Sequence, residues 1–196
     1  MRLIFTTICL LLLTSVASAQ IEQGKFYINA QSGIGFSSVN SEFESGGSST
    51  SEVESSQFAF APSVGYFVGD GLLVGLSVPY MTKKNEDEDG DETKSRSISF
   101  GPFVRYYFNN GGSKTKPYLH GGLGVGASTT ETDNNKWDYR LSNYELGGGL
   151  AIFFHKNIAV DLGLSYSNST QKYKEDSDVK LKTKNLAFNV GFTFCL

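Results

Sequence analysis

The sequence predicts an all-β protein, an eight-stranded antiparallel up-and-down transmembrane β-barrel. Three observations carry that expectation. Beyond residue 20, bulky apolar residues alternate with small or polar ones at period two, segment after segment, with no helical periodicity of useful length. The small rows are rich in Gly, Ala and Ser, within a total of 22 glycines in 196 residues. Short turns and longer polar stretches then follow one another in turn, the rhythm of consecutive hairpins.

The chain opens with Arg2, an apolar stretch from Leu3 to Leu13 that is too short to span a bilayer, and the small-x-small motif Ala17-Ser18-Ala19. That is the three-part layout of a secretory signal. Residues 1–19 are therefore expected to be a signal peptide and 20–196 a single barrel domain. Cys9 leaves with the signal, so Cys195 has no internal partner and the exported chain stands without a disulfide.

Eight alternating segments follow. Their bulky rows are Phe26, Ile28, Ala30, Ile34 and Phe36; Phe58, Phe60, Val64, Tyr66 and Val68; Leu72, Val74, Leu76, Val78 and Tyr80; and Ile98, Phe100, Val104, Tyr106 and Phe108. The fifth segment is the weakest, with Leu119, Leu123 and Val125. Next come Tyr144, Leu146, Leu150, Ile152 and Phe154; Ile158, Val160, Leu162, Leu164 and Tyr166; and a terminal row of Leu186, Phe188, Val190, Phe192, Phe194 and Leu196. Gly69-Asp70-Gly71, Asn109 to Lys116 and His155-Lys156-Asn157 make the short connections. Ser38–Ser56, Lys83–Ser95, Thr129–Tyr139 and Asn168–Lys182 read as long, solvated, mobile loops.

Which row faces outward decides the class of protein. A packed eight-stranded interior holds about a dozen side chains, and the bulky rows here contain about three times as many. In a two-sheet sandwich the small row would meet water, yet it lacks the Lys and Glu of soluble sheets. Turning the bulky row toward lipid removes the difficulty. Lys25, Arg105, Glu145 and Asp161 all fall on the small row, as expected when a charge facing lipid costs about 2–4 kcal/mol at mid-bilayer. Closure satisfies every backbone donor and acceptor without water. Aromatics collect at both ends of the outward rows, Phe36, Phe58, Tyr80, Phe100, Tyr144 and Tyr166 at one end and Phe26, Tyr66, Tyr106, Phe108, Phe154 and Phe194 at the other, as in interfacial girdles.

These features together resemble the OmpA-type outer-membrane β-barrel family, in its small porin-like members without a periplasmic domain. The resemblance spans Gln23 to Leu196. It implies the outer membrane of a Gram-negative cell, periplasmic termini and four long extracellular loops at the cell surface. It also implies outer-membrane lipids, lipopolysaccharide and the outer-membrane assembly machinery as partners. The family's terminal insertion signal is matched by Phe188, Val190, Phe192 and Phe194, but the last residue is Leu196 where the family usually ends in Phe.

Inside the barrel, Tyr27, Phe67, Leu73, Phe103, Tyr107, Tyr118 and Phe153 point inward near the short-turn end, whereas Gly33, Gly35, Ala59, Ala61, Ser77, Ser97, Ser99, Gly124, Gly126, Ser165 and Ser167 line the other half. The expectation is a lumen plugged below and opening as a shallow polar cup above. Arg105 and Asp161 should lie at similar depth, with His120 near that level and Glu145 higher. This lumen polar network reads either as a structural set of ion pairs, since an unpaired buried charge is costly, or as a gate or a proton-linked site.

No nucleophile and base stand in a credible arrangement, so the protein is not expected to be an enzyme, and no cofactor is expected. Asn85 to Glu92 opens like a calcium loop, but Arg96 occupies the position of the bidentate Glu, so it reads as a solvated acidic loop. Lys83, Lys84, Lys94 and Arg96 flank it within reach of lipid phosphate. A net charge of −3 leaves no footprint for nucleic acid. Two functions remain: a structural or surface-interaction role, with an unknown surface ligand on the loops, or a narrow pore or small-ligand cup for transport. Eight strands argue against a wide channel, which needs about sixteen.

Overall fold

The computed structural model describes residues 21–34, 42–43, 55–86, 92–108, 113–132, 135–173 and 180–196. The expected signal peptide, Gly35, Phe36, most of Ser38–Ser56 and the acidic residues 87–91 lie outside the described residues.

Eight strands form one closed ring. They are β1 (Phe26–Ile34), β2 (Ser55–Gly69), β3 (Leu72–Ser77 and Tyr80–Glu86), β4 (Glu92–Tyr107), β5 (Thr115–Thr132), β6 (Asn135–His155), β7 (Ile158–Tyr173) and β8 (Lys180–Cys195). Each pairs antiparallel with its neighbours in sequence, and β1 closes the ring by pairing with both β2 and β8. Phe26 and Leu196 exchange both backbone hydrogen bonds at that seam. β3 breaks at Val78-Pro79 because proline has no N–H for the ladder. The Val78 N–H donates to the Pro62 carbonyl and the Ser99 N–H to the Pro79 carbonyl, which carries the pairing across the break.

Period two sorts the side chains as the sequence suggests. Val64, Leu76, Leu123, Leu146 and Leu164 are 57–66% exposed on the outer surface, while Tyr27, Phe67, Leu73, Tyr107 and Phe153 are at most 1% exposed inside. A continuous apolar exterior of this kind far exceeds what a soluble monomer displays. Of the rings expected in the girdles, Phe36 lies outside the described residues and the others are exposed, and Phe26 packs edge-on against Tyr66 with centroids 5.3 Å apart.

The strands run further than expected. β3 and β4 reach Glu86 and Glu92, β5 and β6 reach Thr132 and Asn135, and β7 and β8 reach Tyr173 and Lys180. Most of three stretches expected to be loops is thus paired sheet, and β5, expected to be the weakest strand, spans 18 residues. Where both faces of a hairpin are polar no apolar period marks it, yet cross-strand partners still pair. Thr93 and Thr132 share a 3.0 Å hydrogen bond, and Ser95 and Thr130 one of 3.2 Å. Trp137 and Asn168-Ser169-Thr170, which fall in two of those stretches, thus lie on strand extensions.

At the short-turn end the chain before β1 folds over the barrel mouth. The Gly71 N–H donates to the Ile21 carbonyl, the Gly24 N–H to the Phe67 carbonyl and the Gln23 N–H to Asp70 Oδ1 at 3.1 Å. Ile21 is buried against the interior cluster. Gly71 has φ of +75°, and a Cβ there would stand 2.5 Å from the Tyr107 carbonyl oxygen. Only glycine fits that turn.

Candidate functional site

The interior divides into two levels. Near the short turns, Tyr27, Phe67, Leu73, Tyr107, Tyr118, Ala151, Phe153, Ala159 and Cys195 form one buried cluster with Ile21, and Phe103 packs against it from above. Inward positions on a strand recur every second residue, so Phe67 on β2, Leu73 on β3, Tyr107 on β4, Tyr118 on β5 and Phe153 on β6 converge at one depth. Tyr27 and Phe67 meet edge-on at 6.4 Å between centroids, and Tyr107 and Tyr118 meet at a tilt of 55° with centroids 5.7 Å apart.

Arg105 on β4 sits within this cluster and reaches across the lumen to Asp161 on β7. Its Nη1 donates to Asp161 Oδ2 at 2.7 Å and to the Tyr107 hydroxyl at 3.2 Å. The same carboxylate oxygen accepts from the Thr193 hydroxyl at 2.9 Å and from Asn29 Nδ2 at 3.3 Å. The guanidinium also lies over the Tyr118 ring, 4.3 Å from its centroid, with Tyr27 and Tyr107 at 5.6 and 5.9 Å. Arg105 and Asp161 are 4% and 1% exposed, so this is a buried pair. A planar guanidinium tolerates such a site because it stacks on rings and is weakly hydrated.

His120 and Glu145 form a second pair one step higher. His120 stands directly opposite Arg105 in the β4–β5 register, and its Nε2 lies 2.8 Å from Glu145 Oε1. His120 is shielded, whereas the Glu145 side chain is 39% exposed, and the histidine is charged only when protonated. The four residues singled out from the sequence are thus brought together as two pairs. Glycines make the space: a Cβ on Gly163 would stand 2.6 Å from the Tyr118 hydroxyl, and one on Gly147 would stand 2.6 Å from His120 Cε1.

Above the second pair lies a cavity of about 430 Å³. Arg105, His120 and Phe103 form its floor. Ser and Thr side chains line its walls, together with Asn143, Asn185 and Asn189. Asn189 Nδ2 donates to the Ser165 hydroxyl at 2.8 Å, while Asn143 Oδ1 and Asn185 Oδ1 have no partner among the described residues. Lys83 lines the upper part, and partial burial pulls its ammonium below the usual lysine value. Among the described residues no cluster of His, Cys, Asp and Glu could hold a metal ion. The sequence does not reveal Asn29 and Thr193 as partners of Asp161, nor the rings around Arg105. Finding them requires the stagger between strands, which alternation alone does not supply.

The sequence matches the family model of the outer membrane protein beta-barrel domain over residues 5–194. No curated protein is a match. Among solved structures, the fold is similar to Neisserial surface protein A, with 20% identity, a TM-score of 0.57, and 88% of this chain and 99% of that one covered. It is also similar to the outer membrane protein OprG from Pseudomonas aeruginosa, with 14% identity, a TM-score of 0.52, and coverage of 91% and 99%. A major outer membrane protein from Thermus thermophilus gives 14% identity, a TM-score of 0.50, and coverage of 88% and 99%. At such identities the likeness concerns the fold.

Proposed function

The chain belongs to the outer membrane protein beta-barrel domain family, and from that premise we propose that it is a non-enzymatic barrel with a plugged lumen and a structural or surface-interaction role. Its place is the outer membrane. In this reading residues 1–19 are a cleaved signal and 20–196 the barrel, delivered by the outer-membrane assembly machinery. Its surroundings are outer-membrane lipids and lipopolysaccharide, and the four polar hairpins and loops at one rim meet any surface ligand. The observation that carries the plug is the buried cluster around the Arg105–Asp161 pair, formed by inward residues from every strand of the ring. The Arg105, Asp161, His120 and Glu145 pairs then serve to hold strands together across the lumen.

Single-channel recording in a planar bilayer tests this. The reading expects no persistent conductance from the wild-type chain, and steady open-channel current would refute it. The second reading, a cup for a small polar ligand, is favoured by the 430 Å³ cavity and by the amide oxygens of Asn143 and Asn185, which have no partner among the described residues. It predicts uptake of a solute from the rim side without passage through the barrel.

A further inference from the structure

Toward the rim of the long hairpins the inner face of the barrel turns from polar to aromatic. The inward positions of β6, taken upward in steps of two, are Glu145, Asn143, Leu141, Tyr139 and Trp137. Tyr139 stands opposite Ser128 on β5 and Tyr173 on β7, and Trp137 stands opposite Thr130. Ser128 and Thr130 line the cavity, and directly opposite residues share one face of a sheet, so these rings continue the cavity wall upward. Tyr139 and Tyr173 are half-buried and meet at 54° with centroids 5.6 Å apart. Below the rings the walls carry amides and hydroxyls. Asn143 Oδ1 and Asn185 Oδ1 are buried there and have no partner among the described residues. Gly124 leaves room for the Asn143 amide, which a Cβ at that position would overlap.

Charge and shape identify the ligand class. Of the charged side chains around the cavity, Arg105 is bound to Asp161, and Arg96 lies exposed on the outward row. Lys83 near the rim and Glu145 beside His120 near the floor remain, of opposite sign, so a ligand need bring no net charge. A purely apolar ligand would bury the amides and hydroxyls without partners, which is costly. A saccharide satisfies both parts of the wall. Its hydroxyls donate to and accept from amides and hydroxyls, and its C–H faces pack against aromatic rings, which present a large apolar surface. Asn143 and Tyr139 are four residues apart, about 14 Å along the strand, or about 10 Å of height at a strand tilt of about 40°. That is the reach of two linked pyranose rings, and a 430 Å³ cavity falls within the usual size of small-molecule sites. We propose that the cup binds a neutral disaccharide unit, with Asn143 and Asn185 accepting from its hydroxyls and Tyr139, Tyr173 and Trp137 packed around its upper ring. Such a site rests on the cup reading given above and needs no passage through the plug.

The test uses the full mature chain folded in phosphatidylcholine nanodiscs, with Trp137, the single tryptophan, as fluorescent reporter and saturation-transfer NMR as a second readout. Maltose, cellobiose and lactose are titrated in turn, with glutamate as a charged and adenosine as a heteroaromatic comparison. At least one disaccharide is expected to bind saturably. Asn143→Leu with Asn185→Leu should weaken that binding about tenfold, through the loss of two hydrogen-bond acceptors. Tyr139→Leu should weaken it independently, which keeps the test open if the asparagine variant does not fold. Lys156→Gln, an exposed change at the other end of the barrel, should bind as the wild type does. The gel-mobility shift of the folded barrel confirms that each variant is folded. Disaccharide binding that is unchanged in the folded asparagine variant or in Tyr139→Leu would overturn the proposed site. Saturable binding of glutamate or adenosine, with none of any disaccharide, would overturn the saccharide assignment and leave the cup standing. Binding of no solute at all would overturn the cup reading as well.

Discussion

Replacing Asp161 by Asn leaves the shape of the plug unchanged but strands the Arg105 guanidinium, which is 4% exposed and has no other carboxylate within reach among the described residues. Breaking a buried pair by removing one partner costs about 3–5 kcal/mol, because the remaining charge is uncompensated. Asp161 Oδ2 also accepts from Thr193 and Asn29, and an amide oxygen in its place keeps those bonds. D161N should therefore lie toward the lower end of that range. Arg105→Met isolates the carboxylate instead and should cost about 3 kcal/mol. The pair Arg105→Met with Asp161→Asn removes both charges, keeps an acceptor for Thr193 and Asn29 and loses mainly the hydrogen bonds that Arg105 donates, a loss of about 1–3 kcal/mol. The double variant should thus be more stable than the sum of the single changes predicts, by at least about 2 kcal/mol. Equilibrium unfolding in urea of the protein reconstituted in phospholipid vesicles, followed by Trp137 fluorescence, measures all four forms. Additive losses, or D161N within about 0.5 kcal/mol of the wild type, would refute the account of the pair as a buried lock.

Glu145→Gln should cost no more than about 1 kcal/mol, since the Glu145 side chain is 39% exposed, and the same unfolding assay checks it. Leu123→Arg puts a charge on the lipid face and should cost about 2–4 kcal/mol, seen as a lower midpoint and folding yield in vesicles. Gly71→Ala forces a left-handed φ on a residue with a Cβ and should cost about 1–2 kcal/mol before the contact with the Tyr107 carbonyl is counted, again read by urea unfolding. Cys195, 1% exposed and free, should resist maleimide in the folded barrel and label promptly in denaturant.

Much of this arrangement can be read directly from the residue order, because a strand repeats every two residues and a barrel has only an inside and an outside. Tyr27, Phe67, Leu73, Tyr107, Tyr118 and Phe153 are inward by parity alone, and their position near short turns fixes their depth. Parity does not give the stagger between distant strands. Arg105 and Asp161 can be matched in depth from the sequence, but Asn29 and Thr193 as companions of Asp161 cannot. The hairpin extensions escape a reading of the sequence for a related reason. Thr93, Ser95, Thr130 and Thr132 pair across strands with water on both sides, so no apolar row announces them. The segment from Ile21 to Gly24 has no period at all and is held by backbone bonds to the β2–β3 turn.

The account rests on the bulky row facing acyl chains. Single cysteines introduced in a Cys195→Ser background along 62–66, 74–78 and 144–148 can carry a nitroxide in a reconstituted bilayer, with accessibility to oxygen and to a water-soluble nickel complex read at each site. The account predicts oxygen maxima at Val64, Leu76 and Leu146, with minima at Ser63, Ser77 and Gly147. The inverse pattern, or a mature chain that stays monodisperse in buffer without detergent, would contradict it.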